Sequence, residues 1–170
     1  MLSERMEKEL NAHVNAEMYS AYLYLSMSAY FKSIDLTGFA QWMKVQFEEE
    51  MDHAMRFFEF VDQRDGRLKL TQIEAPPVEW DSPLDVFENT YAHEQSVSAR
   101  INSLVTLAVE EKDHATNNFL QWFVAEQVEE ETNAKGALKK LRFVGDSKSS
   151  LLMIDQEMGQ RVQSQSTPAE

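Results

Sequence analysis

The chain predicts an all-α fold: two antiparallel helical hairpins joined by one long crossover into a four-helix bundle, followed by a short fifth helix. Three observations carry that expectation. Four long stretches repeat apolar residues at steps of three and four. Only five glycines and four prolines occur in 170 residues, which favours long uninterrupted elements over a turn-rich β fold. The one long stretch unsuited to helix, residues 67–83 (RLKLTQIEAPPVEWDSP), falls between the second and third helical stretches, where a single-crossover bundle needs it.

The first helix is expected from about Ser3 to Lys32, with Leu10, Val14, Ala21 and Tyr24 on one stripe. It stops at SIDLTG, with Gly38 punctuating the turn. The second is expected from about Phe39 to Arg64, carrying Met43, Phe47, Ala54, Phe57 and Val61 inward, and DGR ends it at Gly66. In the crossover, Pro76-Pro77 and Ser82-Pro83 exclude helix, and the span is long enough to run the length of a bundle. Asp81 or Ser82 can cap the third helix, with Pro83 at its first position. That helix continues through Phe87, Tyr91, Ile101, Val105 and Ala108 to about Lys112. A short break at DHATN leads into the fourth, whose Phe119, Phe123, Ala134, Leu138 and Leu141 face inward. After VGDSKSS comes LLMIDQEMGQRV, an amphipathic segment with little of its own bundle left to cover. Residues 1–160 are expected to form one domain and residues 161–170 a polar C-terminal tail.

Composition narrows the chemistry. A 19.7 kDa chain that is 43% hydrophobic has enough apolar material for one real core. It contains no cysteine, which excludes disulfides, thiolate zinc sites, iron–sulfur clusters and thiol nucleophiles, leaving His and carboxylates as the strong metal ligands. The formal net charge is −13, from 29 acidic and 16 basic residues. Such a surface repels nucleic acid and anionic lipid and attracts cations. The start, MLSERMEKELNAH, is charged and lacks the apolar run of a signal peptide. No stretch approaches the ~20 apolar residues that span a bilayer. A soluble, cytoplasmic protein with neither membrane nor nucleic acid as partner is expected. No phosphate loop, dinucleotide fingerprint or serine elbow is present.

Extending each stripe by the same steps brings acidic residues onto the buried faces. The first helix reads 10, 14, 17, 21, 24 and includes Glu17; the second reads 43, 47, 50, 54, 57 and includes Glu50, with His53 beside it. The third reads 87, 91, 94, 98, 101 and includes Glu94; the fourth reads 119, 123, 127, 130, 134 and includes Gln127 and Glu130. One such glutamate is ordinarily a boundary residue whose carboxylate reaches water. Four helices each doing this near mid-length is far less expected by chance. Four buried carboxylates would carry −4 with no Lys or Arg on the stripes to answer them, and an unpaired buried charge protonates instead. Two divalent cations would balance the set, and Glu50-x-x-His53 offers adjacent ligands one helical turn apart. Mixed carboxylate and imidazole ligation suits iron or manganese better than magnesium or structural zinc.

With these residues in view the chain resembles the ferritins, and more closely their non-haem prokaryotic members. NAEMYSAYLYLSMSAYF, FEEEMDHAM, YAHEQ and FLQWFVAEQVEEE carry the resemblance, in order and spacing, and it extends to about residue 160. A ferritin-like four-helix bundle with a fifth helix is what it implies. It also implies a first iron site at Glu17, Glu50 and His53, and a second at Glu94 and Glu130 bridged by Glu50. Gln127 and Tyr24 stand beside the pair, although Tyr24 also reads as an ordinary core aromatic. A third iron site is implied at Glu49, Glu126 and Glu129, which otherwise read as solvated helix charges. Trp122 reads as packing.

The activity implied is oxidation of Fe(II) by O2 or H2O2, with storage of the ferric mineral in a homo-oligomeric shell of 24 subunits. Two departures accompany the resemblance. Haem-binding bacterioferritins repeat Glu-x-x-His on the fourth helix, whereas here Glu130 is followed by Asn133; Met51 stands where those relatives place a haem ligand, and no haem is expected. HATNNFLQ lacks the carboxylates that line the entry channels of animal ferritins, with Asp113 and His114 just upstream as substitutes. His13 and His93 read as surface or packing residues. A di-iron oxidase or peroxidase that builds no shell, a haem-binding relative, and a helical scaffold with water-facing glutamates are the competing readings.

Overall fold

The computed structural model describes residues 1–145 and 147–162. Five helices follow in order: α1 (Glu4–Ser33), α2 (Thr37–Gln63), α3 (Pro83–Glu110), α4 (His114–Val144) and α5 (Lys148–Met158). Helices α1 and α2 pack as one hairpin and α3 and α4 as the other; α5 lies on α2 and α4. This is the expected bundle with its extra helix. Among the described residues there is no strand.

Local chemistry sets the ends. Ser3 caps α1 by accepting the Met6 N–H at 3.0 Å. Ser82, not Asp81, caps α3 through the Asp85 N–H at 3.1 Å, with Pro83 in the first turn. The turns after α1 and α2 are made by Asp35 at φ 60° and Asp65 at φ 56°, short polar side chains that tolerate the left-handed region.

Two expected breaks fall elsewhere. Gly38 lies inside the first turn of α2 rather than in the connection. A Cβ at Gly38 would sit 1.6 Å from the Asp155 carbonyl oxygen of α5, so the glycine serves close helix approach, not turn formation. DHATN is almost wholly helical: α4 starts at His114, capped by Asp113 through the Thr116 N–H at 3.1 Å. The break contracts to 111–113, with Lys112 at φ 55°, because the Asp113 carboxylate starts the next helix at once.

The crossover runs along α1, as its length requires. Asn11 donates to the Arg67 carbonyl at 3.0 Å and accepts the Lys69 N–H at 2.6 Å. Asn15 donates to Gln72 at 3.2 Å and Ser26 to Pro77 at 2.6 Å. Irregular backbone polar groups are thereby satisfied without a sheet.

The core is split along its length. One apolar cluster holds Tyr24, Met27, Phe31, Phe39, Phe87 and Leu138. The other holds Met6, Leu10, Phe57, Ile101, Leu120 and Phe123. On all four bundle helices the residues between these clusters include buried polar side chains: Glu17, Gln46, Glu50, His53, Glu94, Gln127 and Glu130. The middle of the bundle is a polar layer between two greasy ends.

Candidate metal centre

Glu17 from α1 and Glu50 and His53 from α2 converge in that layer. One ligand atom from each lies within 4.8 Å of the others, and all three side chains are buried. The three-residue spacing places Glu50 and His53 on one face of α2, with His53 Nδ1 3.4 Å from Glu50 Oε2. Trp122 and Phe123 hold the imidazole edge-on, at centroid distances of 5.5 and 5.8 Å. Arg56 in turn lies over Trp122 at 4.0 Å. Trp122 thus packs, as expected, and what it packs is the imidazole.

Glu94 and Glu130 enter the layer from α3 and α4, both buried. Glu94 accepts hydrogen bonds from the Tyr24 hydroxyl and, at 3.2 Å, from Gln127 Nε2. Glu130 Oε2 accepts from Gln46 Nε2 at 2.9 Å. Gln46 lies three residues after Met43 on the inward face of α2, and nothing in the sequence separates its neutral amide from an ordinary polar residue of the helix.

The electrostatics follow from burial and crowding. Burial first, then the Glu17, Glu94 and Glu130 charges, push Glu50 well above the carboxylate range. Burial and Glu130 raise Glu94 to about 8 against the opposing bonds from Tyr24 and Gln127. Burial also works against ionised Glu17, but His13 beside it, followed by His53, holds that carboxyl down to about 2. Glu17 Oε2, Glu50 Oε2, Gln46 Oε1 and His13 Nε2 are buried without hydrogen-bond partners. Such orphans cost on the order of 1–3 kcal/mol each unless something satisfies them. Carboxylate oxygens with one imidazole form a donor set for hard or borderline first-row divalent cations. The residues present fit a bound cation.

The three outlying carboxylates behave differently. Glu49 is buried and paired with Arg161 at 2.6 Å. Glu126 is half-buried, its carboxyl raised by burial first and then by Glu130 and Glu129 against the pull of His53 and Arg56. Glu129 is exposed. Among the described residues Glu17, Glu50 and His53 are the acidic and imidazole triad whose ligand atoms meet within 4.8 Å, so this second set does not converge in the same way. Arg161, the first residue of the expected polar tail, packs its guanidinium over Trp42 at 4.4 Å. Tail residues 163–170 lie outside the described residues.

His13, expected at the surface or in packing, is buried with Nε2 2.7 Å from Glu17 Oε1. The signal for it was its position four residues before Glu17, one helical turn away on the same face. His93 is half-buried and within 2.8 Å of Ser20 Oγ. Asp113 is held by Arg64 at 3.0 and 3.1 Å and by Thr116, so its carboxylate is an anchored cap at the start of α4.

A helical bundle with acids and an imidazole meeting at its middle defines the class: an all-α protein whose core carries a group of side chains that could hold a metal ion. Residues 7–144 match the family model for ferritins, described as a ferritin-like domain, and the chain belongs to the ferritin family. A bacterial non-heme ferritin of Bacteroides fragilis is 44% identical over 161 residues, covering 95% of this chain and all of that protein. One from Campylobacter jejuni is 40% identical over 156 residues, covering 92% and 93%. Among solved structures, an open pore ferritin from the archaeon Archaeoglobus fulgidus superposes with a TM-score of 0.94 at 56% identity, covering 95% of this chain and 99% of that one.

Proposed function

We propose that this protein is an iron-storage ferroxidase that takes Fe(II) as substrate in its mid-bundle layer, with Glu17, Glu50 and His53 as one position and Glu94 and Glu130 as a second bridged by Glu50. The observation that carries the reading is the buried acid layer itself, whose orphaned carboxylate oxygens have no protein partner. The non-heme ferritin relatives and the match of family support it.

The chemistry follows from the donor set. Hard anionic ligands favour Fe(III) over Fe(II). Cation binding displaces the protons held by Glu50 and Glu94, so acids that are neutral without metal become charged ligands with it. Two Fe(II) give up one electron each. Dioxygen accepts both with two protons and leaves as hydrogen peroxide, or hydrogen peroxide accepts both with two protons and leaves as two waters. Tyr24 and Gln127 orient Glu94, and Gln46 orients Glu130. His53 is the single imidazole ligand of the set, leaving the Glu94/Glu130 side the looser position from which ferric ion departs to mineral. Glu49, Glu126 and Glu129 form a third iron position on this reading. Storage places the protein in a 24-subunit shell in the cytoplasm.

Aerobic addition of Fe(II) to the purified protein tests it, followed by ferric absorbance. Oxidation faster than in buffer, lost in a Glu50→Ala/His53→Ala double variant that keeps its helical circular dichroism, is the expected result. No acceleration sinks the ferroxidase, and elution as a monomer or dimer sinks the shell.

A further inference from the structure

His13 is the one buried imidazole next to the layer that the proposed chemistry leaves unused. It projects from α1 one turn before Glu17 and is 3% exposed. Phe57 fixes its ring edge-on at a centroid distance of 4.5 Å. Its Nε2 lies 2.7 Å from Glu17 Oε1, a close ion-pair contact without hydrogen-bond alignment. A buried nitrogen in that state is unfavourable, and the protein supplies nothing else to satisfy it.

The separation has a simple meaning in coordination chemistry. Two neighbouring ligands of one cation, each bonded at about 2.1 Å, stand about 3 Å apart and do not point at one another. A short, misaligned nitrogen–oxygen contact is the same arrangement without the cation. A cavity of about 430 Å³ reaches His13 and is lined also by Arg5, Glu9, Arg100 and Ser103. It has room for the waters that would fill the remaining coordination positions. The guanidinium of Arg5 lies 3.4 Å from Glu110, and Arg100 also lines the cavity.

We propose that His13 Nε2 and Glu17 Oε1 form a further docking position for a first-row divalent cation, reached from this cavity and sharing Glu17 with the centre. The inference rests on the reading that the centre takes Fe(II), and it adds an entrance to it. Because Glu17 belongs to both positions, a cation held by His13 passes inward without leaving protein ligands.

Crystals soaked anaerobically with Co(II), with anomalous diffraction collected at the cobalt edge, test the proposal. A peak within about 2.3 Å of both His13 Nε2 and Glu17 Oε1 is expected, and it should vanish in His13→Gln while peaks at Glu50 and His53 stay. In solution the Co(II) stoichiometry should fall by one ion per chain in that variant. Peaks at Glu50 and His53 with none on His13 in the parent protein overturn the docking position and leave the centre standing. An empty map overturns both readings. The parent map decides even if the variant fails to fold.

Discussion

Arg161 Nη2 lies 2.6 Å from Glu49 Oε2, joining the residues after α5 to the middle of α2 across 112 positions of sequence. The guanidinium is sandwiched between that carboxylate and the Trp42 ring at 4.4 Å, a geometry that uses both its charge and its flat face. Arg161→Gln should therefore lower unfolding stability by about 2 kcal/mol in urea titration, with Arg161→Lys recovering only part of it. Since a guanidinium and a divalent cation compete for one carboxylate, the Gln variant should also bind more Co(II) at Glu49. Unchanged stability and stoichiometry would show the pair to be idle.

Glu94 makes stability without metal depend on pH in a definite direction. Its carboxyl titrates near 8 when folded, against 4.5 for the free side chain, through burial and Glu130. Between those values the folded state holds a proton that the unfolded state releases, so stability falls as pH rises from about 4.5 to 8 and then levels. Glu50 acts in the same direction. Glu17, held near 2 despite its burial by His13, works oppositely. Its contribution is present above 4.5 and is lost as pH falls toward 2. Glu94→Gln should flatten the slope above pH 4.5, a gain on the order of a few kcal/mol at pH 8. Urea midpoints across pH, measured with chelator present, check it; an unchanged slope means the carboxyl is not crowded.

Much of this was legible beforehand, and the reason is periodic. Glu17, Glu50, Glu94 and Glu130 sit on stripes whose apolar members announce which face is inside, so helix geometry alone carried them into the core. His13 reads as surface or packing, and it does pack, under Phe57 of α2; its four-residue spacing from Glu17 is a within-helix signal for their contact. Gly38 resembles a turn residue in the sequence because glycine has two uses, and its close-packing partner lies 117 positions away at Asp155. Arg161 and Gln46 owe their roles to partners on other helices. Within-helix facts show in the sequence; facts that depend on which helices meet do not.

The docking of α5 gives a further prediction. Asp155 reaches back to accept the Phe39 N–H at 2.9 Å, so a buried carboxylate of α5 satisfies a free donor at the start of α2. Gly38 and Gly159 let the two backbones touch there, a Cβ at Gly159 falling 3.2 Å from Gly38 Cα. Asp155→Ala should lower stability by about 1 kcal/mol. Gly38→Ala should do more, because its Cβ has no room beside the Asp155 carbonyl. Limited proteolysis should cut before α5 faster in both variants while the bundle stays intact by circular dichroism. Equal cleavage in parent and variants would mean α5 is held by its apolar face alone.

Tyr24 sets how readily Glu94 gives up its proton to a cation. Burial first, then the Glu94 charge, raises the phenol well above its usual range, so at neutral pH the hydroxyl keeps the proton it donates to Glu94. Its bond to Glu94 favours the ionised carboxylate, against a burial term that favours the neutral acid. Tyr24→Phe removes that donor and leaves the ring in place, so the Glu94 carboxyl should rise further and the cation must displace a more tightly held proton. The pH of half-maximal anaerobic Co(II) binding should move upward by about one unit, the worth of one hydrogen bond to a charged group. Isothermal titration at several pH values, with stability measured in parallel, separates this from loosened packing. A packing defect weakens binding equally at every pH, whereas a lost donor to Glu94 weakens it below the raised Glu94 titration and spares it well above. A uniform loss would assign Tyr24 to the core and remove it from the site.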